Sequence, residues 1–246
     1  MRSRSPMTLI TVLLLLCSIA VYYAQILIFH DPDHTFFYFL QDLAFVPIQV
    51  LLVVLLIERL LEEREKRSIL QKLNMVIGAF FSEIGTRLLG DMTPAVEGMD
   101  EVRRHLSIRA QWKKGDFASA IEFARGFQYK IGPLRIDLLQ LRDLLVSKRE
   151  FMVRLLENPN LLEHQRFTDL LWAIFHLTEE LAARPALPNL SENDMRHIAE
   201  DMRRAYSQLG AEWLAYAQHL QTAYPFLFSL VVRTHPMQEH PSAAIP

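Results

Sequence analysis

Cysteine is nearly missing: Cys17 stands alone among 246 residues, so neither an intrachain disulfide nor a thiolate metal cluster can hold this chain together. Glycine is scarce too, with eight scattered residues that leave little material for a phosphate-cradling loop. A Ser or Cys nucleophile elbow, an H-E-x-x-H pair and the protein-kinase signatures are also missing. No catalytic residue and no cofactor can therefore be named, and the reading favours a non-enzymatic protein. There is no basic excess either. Of the 28 acidic and 26 basic side chains, only Asp31, Asp33, Asp42, Arg2 and Arg4 precede Ile57, and the rest nearly cancel. A nucleic-acid footprint needs a clustered excess of positive charge, so nucleic acid is not expected as a partner.

What the chain has in quantity is apolar surface, 51% of its residues, concentrated at the N-terminus. Ser5 to Phe29 carries no formal charge, and residues 8–29 are almost wholly Leu, Ile, Val, Ala and aromatic. At about 1.5 Å per residue, such a helix crosses a hydrocarbon core of roughly 30 Å. A secretory signal peptide would share the basic start, but this run is too long and lacks a small-x-small cleavage site. The second run, 36–57, contains Asp42, so its energies must be weighed. Sixteen Leu, Ile, Val and Phe residues there favour insertion by about 0.3–0.6 kcal/mol each, whereas one Asp costs about 3 kcal/mol at the centre. Insertion wins.

Between the runs lies His30-Asp-Pro-Asp-His34, a turn without Lys or Arg and read as a plain polar turn rather than a metal site. Arg2 and Arg4 precede the first run, and Arg59, Arg64, Lys66 and Arg67 follow the second. This asymmetry predicts both termini on the cytoplasmic side of the cell (inner) membrane. Asp42 and Gln49 share a helix face near Pro47 and form an intramembrane polar pair, read mainly as structural: Asp42 lies about two turns in from the outer end, where snorkelling, water or a bond to Gln25 or a partner subunit suffices.

No Gly or Pro interrupts 50–77, and Ile69, Leu70, Leu73, Val76, Ile77, Phe80, Ile84 and Leu88 keep a three-four spacing. One continuous helix is expected to about Leu89, with 58–90 forming a juxtamembrane stalk through which the chain could self-associate. The segment from Asp42-Leu-Ala-Phe-Val-Pro-Ile-Gln through Glu58-Arg-Leu-Leu to Leu73-Asn-Met-Val-Ile-Gly-Ala-Phe-Phe-Ser-Glu-Ile-Gly85 resembles a group of uncharacterised prokaryotic membrane proteins with two N-terminal spans and a helical cytoplasmic region. The resemblance covers 36–89 and implies an architecture without an activity.

Start and stop signals divide the remainder. Thr93-Pro94 opens a short helix ending near Ser107, Asp116 caps 117–127, Pro133 opens 134–157, Asn158-Pro159 opens 161–183, and Ser191 with Asp194 starts the last long one, broken at Tyr224-Pro225. Lys114-Gly-Asp-Phe-Ala-Ser-Ala resembles part of one tetratricopeptide-type unit, but no second copy follows, so it reads as a single helix-helix junction. Asp194, His197 and Asp201 share one helical face and are weak metal candidates, but the Glu-x-x-His elements that a di-iron bundle needs are missing around His164 and His176, so the face is read as capped and solvated and no metal is expected. His105 and His219 stand alone.

The expected architecture is all-α. A transmembrane hairpin spans 1–57, a stalk 58–90, a helical cytoplasmic domain 91–233 and a disordered tail 234–246. The expected role is a membrane-anchored scaffold or protein-interaction module, with the lipid bilayer and a protein, or a second copy, as partners. The alternatives are a sensor, transporter accessory or ion-coupled subunit using Asp42 and Gln49, and a metal-dependent helical enzyme.

Overall fold

In a computed structural model, the described residues are 6–29, 32–185, 187–238 and 241–244. His30 and Asp31 of the expected polar turn lie outside them. Among the described residues the fold is all-α, with one lone antiparallel bridge between Val96 and Ile131. The chain divides into two units, Met1–Lys66 and Arg67–Pro246.

The first unit contains α1 (Pro6–Phe29) and the N-terminal part of α2 (Pro32–Phe80). Leu, Ile, Val and Phe dominate both, and almost every large apolar side chain of 12–28 and 36–57 is exposed. The two helices meet through Tyr22, whose ring stands edge-on to Phe39 with centroids 5.7 Å apart. Pro47 lies within α2, where it removes one backbone donor.

The second unit is built on α9 (Glu192–Ala223), which packs against α3 (Thr86–Met92), α5 (Lys114–Gly126), α8 (Gln165–Ala182) and α10 (Pro225–Thr234). Ile198, Met202, Ala205, Leu209, Trp213, Ala217 and Leu220 recur at three-four spacing along α9, and all are buried. Burying each large member contributes roughly 1.5–3 kcal/mol. The small residues Ala120 and Ala124 let α5 approach closely, and the Ser207 hydroxyl of α9 donates to the Ala124 carbonyl at 3.0 Å. That is the single helix-helix junction expected there.

Several elements differ from their expected form. The second half of the expected stalk is core: Leu73, Ile77, Phe80, Phe81, Ile84, Leu88 and Leu89 are buried in the second unit, where the stripe meets Phe167 of α8 and Tyr216 of α9. The helix does not run uniformly to Leu89 but widens into a π-helical turn at Phe81–Gly85. This turn brings Phe80 and Phe81 inward together. Phe80 packs edge-on to Phe167 at 5.2 Å, and Phe81 stacks on Tyr216 at 5.1 Å. A Cβ on Gly85 would come within 2.6 Å of both phenylalanine rings, so glycine is required by space rather than by backbone conformation.

The helix expected over 134–157 is three pieces: a 3-10 turn at Pro133–Arg135, α6 (Leu138–Ser147) and α7 (Arg149–Leu156). The start comes late because the Asp137 carboxylate caps the Leu139 and Gln140 amides. Similarly, Asn158 caps only a 3-10 turn, Pro159–Glu163, and the His164 ring accepts from the Phe167 amide to start α8. Asp116 lies inside α5 at its third position and accepts from the Lys113 amide at 2.7 Å. The short helix near Ser107 is α4 (Met99–Leu106), entered through Gly98, whose φ of +68° favours glycine.

The segment expected to be a disordered tail begins as core. His235 and Met237 are buried, the His235 ring lies 5.6 Å from that of Trp213, and the Ser107 hydroxyl donates to the Met237 carbonyl at 3.1 Å. Proline and polar composition signal the break in the helix but not the return of the chain over α9.

Candidate functional site

α8 and α9 run antiparallel, joined by a short connection that includes the 3-10 turn Leu187–Asn189. Each carries a histidine followed one turn later by a carboxylate: His176 and Glu180 on α8, His197 and Asp201 on α9. Residues four apart share a helix face, so two such pairs in antiparallel register can cross-match. They do. His176 Nε2 lies 3.4 Å from Asp201 Oδ1, and His197 Nε2 lies 3.4 Å from Asp201 Oδ2. Glu180 closes the other side, 3.4 Å from His197 Nε2 and 3.9 Å from His176 Nε2.

Arginines frame this group. Arg184 binds Glu180 and also reaches Asp194 at 3.3 Å, while Arg204 reaches Asp201 Oδ1 at 3.3 Å. The bond from Arg184 holds the Glu180 carboxyl below its ordinary range, and Glu180 in turn raises Arg184. Asp194 is also lowered, first by the Ser191 hydroxyl and then by Arg184.

Of the three metal candidates named from the sequence, His197 and Asp201 therefore belong to one cluster and Asp194 does not. Ser191 and Arg184 engage Asp194 at the start of α9. Its place is taken by His176 of α8. The signal in the sequence was a repeated His-x-x-x-carboxylate, at a spacing of four rather than the three of a di-iron bundle. Glu179 turns away to Arg149 at 3.0 Å, and His164 serves as a cap. His105 stacks on Phe123 with centroids 4.0 Å apart, and His219 bonds Asn74 at 3.2 Å.

A recess of about 280 Å³ between α5, α8 and α9 is lined by Arg125, Arg166, Arg203 and Arg204 together with the buried Glu212. Arg125 binds Glu212 at 3.1 Å, which relieves the cost of a carboxylate that is 4% exposed. No sequence pattern pointed to this pair, since its members are 87 residues apart.

In the first unit, Asp42 accepts a hydrogen bond from the Tyr22 hydroxyl at 3.0 Å, so the partner is Tyr22 rather than Gln25. Gln49 lies two turns farther along α2 and is exposed.

The comparisons with known proteins follow the same two-part division. Residues 2–61 match a family described as "MJ1433, N-terminal helical domain", and residues 69–233 match "Uncharacterized protein MJ1433, C-terminal helical domain". A relative from Methanocaldococcus jannaschii, "Uncharacterized protein MJ1433", is 42% identical over 236 residues, covering 96% of this chain and 95% of that protein. No solved structure matches. With consecutive matches on either side of the Lys66–Arg67 division and a relative aligned nearly end to end, the chain belongs to the MJ1433 family of proteins with N- and C-terminal helical domains.

Proposed function

We propose that this chain is a non-enzymatic, membrane-anchored interaction module. Its first unit crosses the cell membrane twice, and its second unit, on the cytoplasmic side, scaffolds another protein. The observation that carries the reading is the exposure of apolar side chains in the first unit: the most apolar window of α2 has none of its residues buried, and α1 is likewise exposed from Val12 to Ile28 apart from the half-buried Tyr22 and Gln25. Leaving a Leu or Phe side chain in water forfeits about 1.5–3 kcal/mol, a cost that lipid removes. The 24 residues of α1 reach about 36 Å, more than a hydrocarbon core of about 30 Å. The Tyr22 hydroxyl satisfies Asp42, lowering the cost of its insertion. This favours anchoring over ion coupling.

A protein partner is supported by Phe226, Leu227 and Leu230, exposed together on α10, and by the exposed Trp172 of α8. Aromatic and aliphatic side chains of this kind gain most from being covered.

Fractionation with alkaline carbonate, followed by reporter fusions after residues 29, 66 and 246, tests the topology. The protein is expected to stay with membranes until detergent is added, with cytoplasmic-reporter activity from the second and third fusions. Recovery in the soluble fraction without detergent, or an external C-terminus, overturns the anchor. Crosslinking with mass spectrometry in gentle detergent tests the partner, and Phe226→Ser with Leu230→Ser should abolish capture if α10 is the docking helix.

A further inference from the structure

Asp201 is only 2% exposed, yet its Oδ2 takes no hydrogen bond from any described residue. A buried carboxylate oxygen left bare is costly, and it calls for a cation or a donor. Arg204 engages the other oxygen, Oδ1, which His176 Nε2 also faces, while Oδ2 faces His197 Nε2. His197 meets Asp201 by their i,i+4 spacing on α9, but His176 comes from α8 and has no sequence-local reason to converge on the same carboxylate. Both Nε2 atoms nonetheless lie 3.4 Å from Asp201 oxygens. That separation is longer than the usual 2.9–3.0 Å of an N–H···O bond. It is close to the ligand–ligand distance, roughly 3.4 Å, around a metal whose bonds are about 2.0–2.1 Å, with His176 facing one Asp201 oxygen and His197 the other. One ligand atom from each of His176, His197 and Asp201 can be chosen so that all lie within 4.8 Å of one another.

We propose that His176, His197 and Asp201 bind one divalent transition-metal ion of the zinc class, tying α8 to α9. Two imidazoles and one carboxylate form a borderline donor set that selects zinc, cobalt, nickel or ferrous iron over calcium and magnesium, which prefer oxygen alone. Three protein ligands leave a coordination position for water or for Glu180, whose carboxylate sits beside both imidazoles and is held there by Arg184. The histidine side chains are 45% and 50% exposed, so an ion reaches the site from solvent without opening the core. The imidazole Nε2 atoms would supply lone pairs to the ion, and Asp201 the compensating charge in a buried setting.

The test uses the full chain in gentle detergent, purified without a histidine tag, stripped with chelator and then titrated with Co2+ and Zn2+. One equivalent of Co2+ should bind with the visible spectrum of a low-coordinate site, and Zn2+ should displace it. The variant His176→Ala with His197→Ala should weaken binding by at least roughly 100-fold, whereas His105→Ala with His219→Ala should leave it unchanged. Zinc at about 100 times its Kd should raise the Tm of the second unit by roughly 5–10 °C, and not at all in the His176→Ala, His197→Ala variant. Asp201→Asn should weaken binding by at least tenfold. Should that buried variant misfold, the two exposed histidines decide the matter. Absence of stoichiometric binding at micromolar metal, or equal affinity in the double histidine variant, overturns the site.

Discussion

The two units use the same residue types in opposite ways. From Val12 to Ile28 and from Phe36 to Ile57, Leu, Ile, Val and Phe face outward round their helices, whereas in the second unit the same residue types line one stripe of α2, α8 and α9 and are buried. A helix that is apolar on every side has no inner face to define a fold of its own, and its energetics depend on what surrounds it. A striped helix brings its own partners into register. The second unit therefore holds its structure by packing, whereas in the first Tyr22 and Asp42 make a polar point of contact between two helices that leave their apolar side chains exposed. The polar chemistry follows the same split, since every histidine-carboxylate contact described above lies in the second unit.

This contrast can be broken in graded steps. The largest effect is expected for Phe80→Ala, which removes a ring that is fully buried against Phe81 and Phe167. It should cost about 3–5 kcal/mol in denaturant unfolding of the second unit. Leu52→Ala, an exposed position of the first unit, should leave that same transition unmoved.

Next is acid. Burial pulls the His235 imidazole from its ordinary 6.5 down to about 4, and its Nδ1 accepts from the Met237 amide, so the folded ring stays neutral while the unfolded ring charges. Below pH 6.5 the unfolded state therefore binds the extra proton. This contribution to stability is complete above pH 6.5 and is lost as the pH falls to about 4, amounting to on the order of 3 kcal/mol. Urea midpoints measured from pH 7.5 to 4 should fall more steeply for the native chain than for His235→Leu.

Gly85→Ala should cost about 1–3 kcal/mol by forcing Phe80 or Phe81 from its place at the π-helical turn. Thermal unfolding would show it, and an unchanged Tm would mean that the turn can relax to regular helix. Ser191→Ala removes the hydroxyl that caps the Asp194 amide at 3.1 Å and should cost about 1 kcal/mol. The smallest effect, about 0.6 kcal/mol, is expected for Tyr22→Phe, read as helix-helix association of the first unit in detergent.

Local signals marked the elements well where one residue decides a boundary. Ser191 starts α9 and Tyr224-Pro225 ends it, as their capping and breaking chemistry demands. Boundaries failed where a tertiary contact competes with the local preference. The π-helical turn arises from two aromatic rings seeking Phe167 and Tyr216, residues far along the chain, and nothing between Phe80 and Gly85 announces that. His235 and Met237 follow a proline-rich, polar pattern that ordinarily stays in solvent, but Trp213, Tyr206 and Ser107 offer them a seat. The candidate site was half legible. His197 and Asp201 share a face by spacing alone, whereas His176 could be chosen over Asp194 only once the register of α8 on α9 was known.

By itself, then, the sequence determined the all-α class, the apolar N-terminal unit and the face that each helical residue occupies, because these depend on periodicity and on single capping or breaking residues within a few positions of each other. Only the tertiary structure decided that the stripe of α2 closes a core, that Tyr22 meets Asp42, and that two histidines from neighbouring helices converge on one buried carboxylate. Those contacts depend on how one helix slides and turns against another, a choice set by the packing of the whole unit rather than by any short stretch of chain.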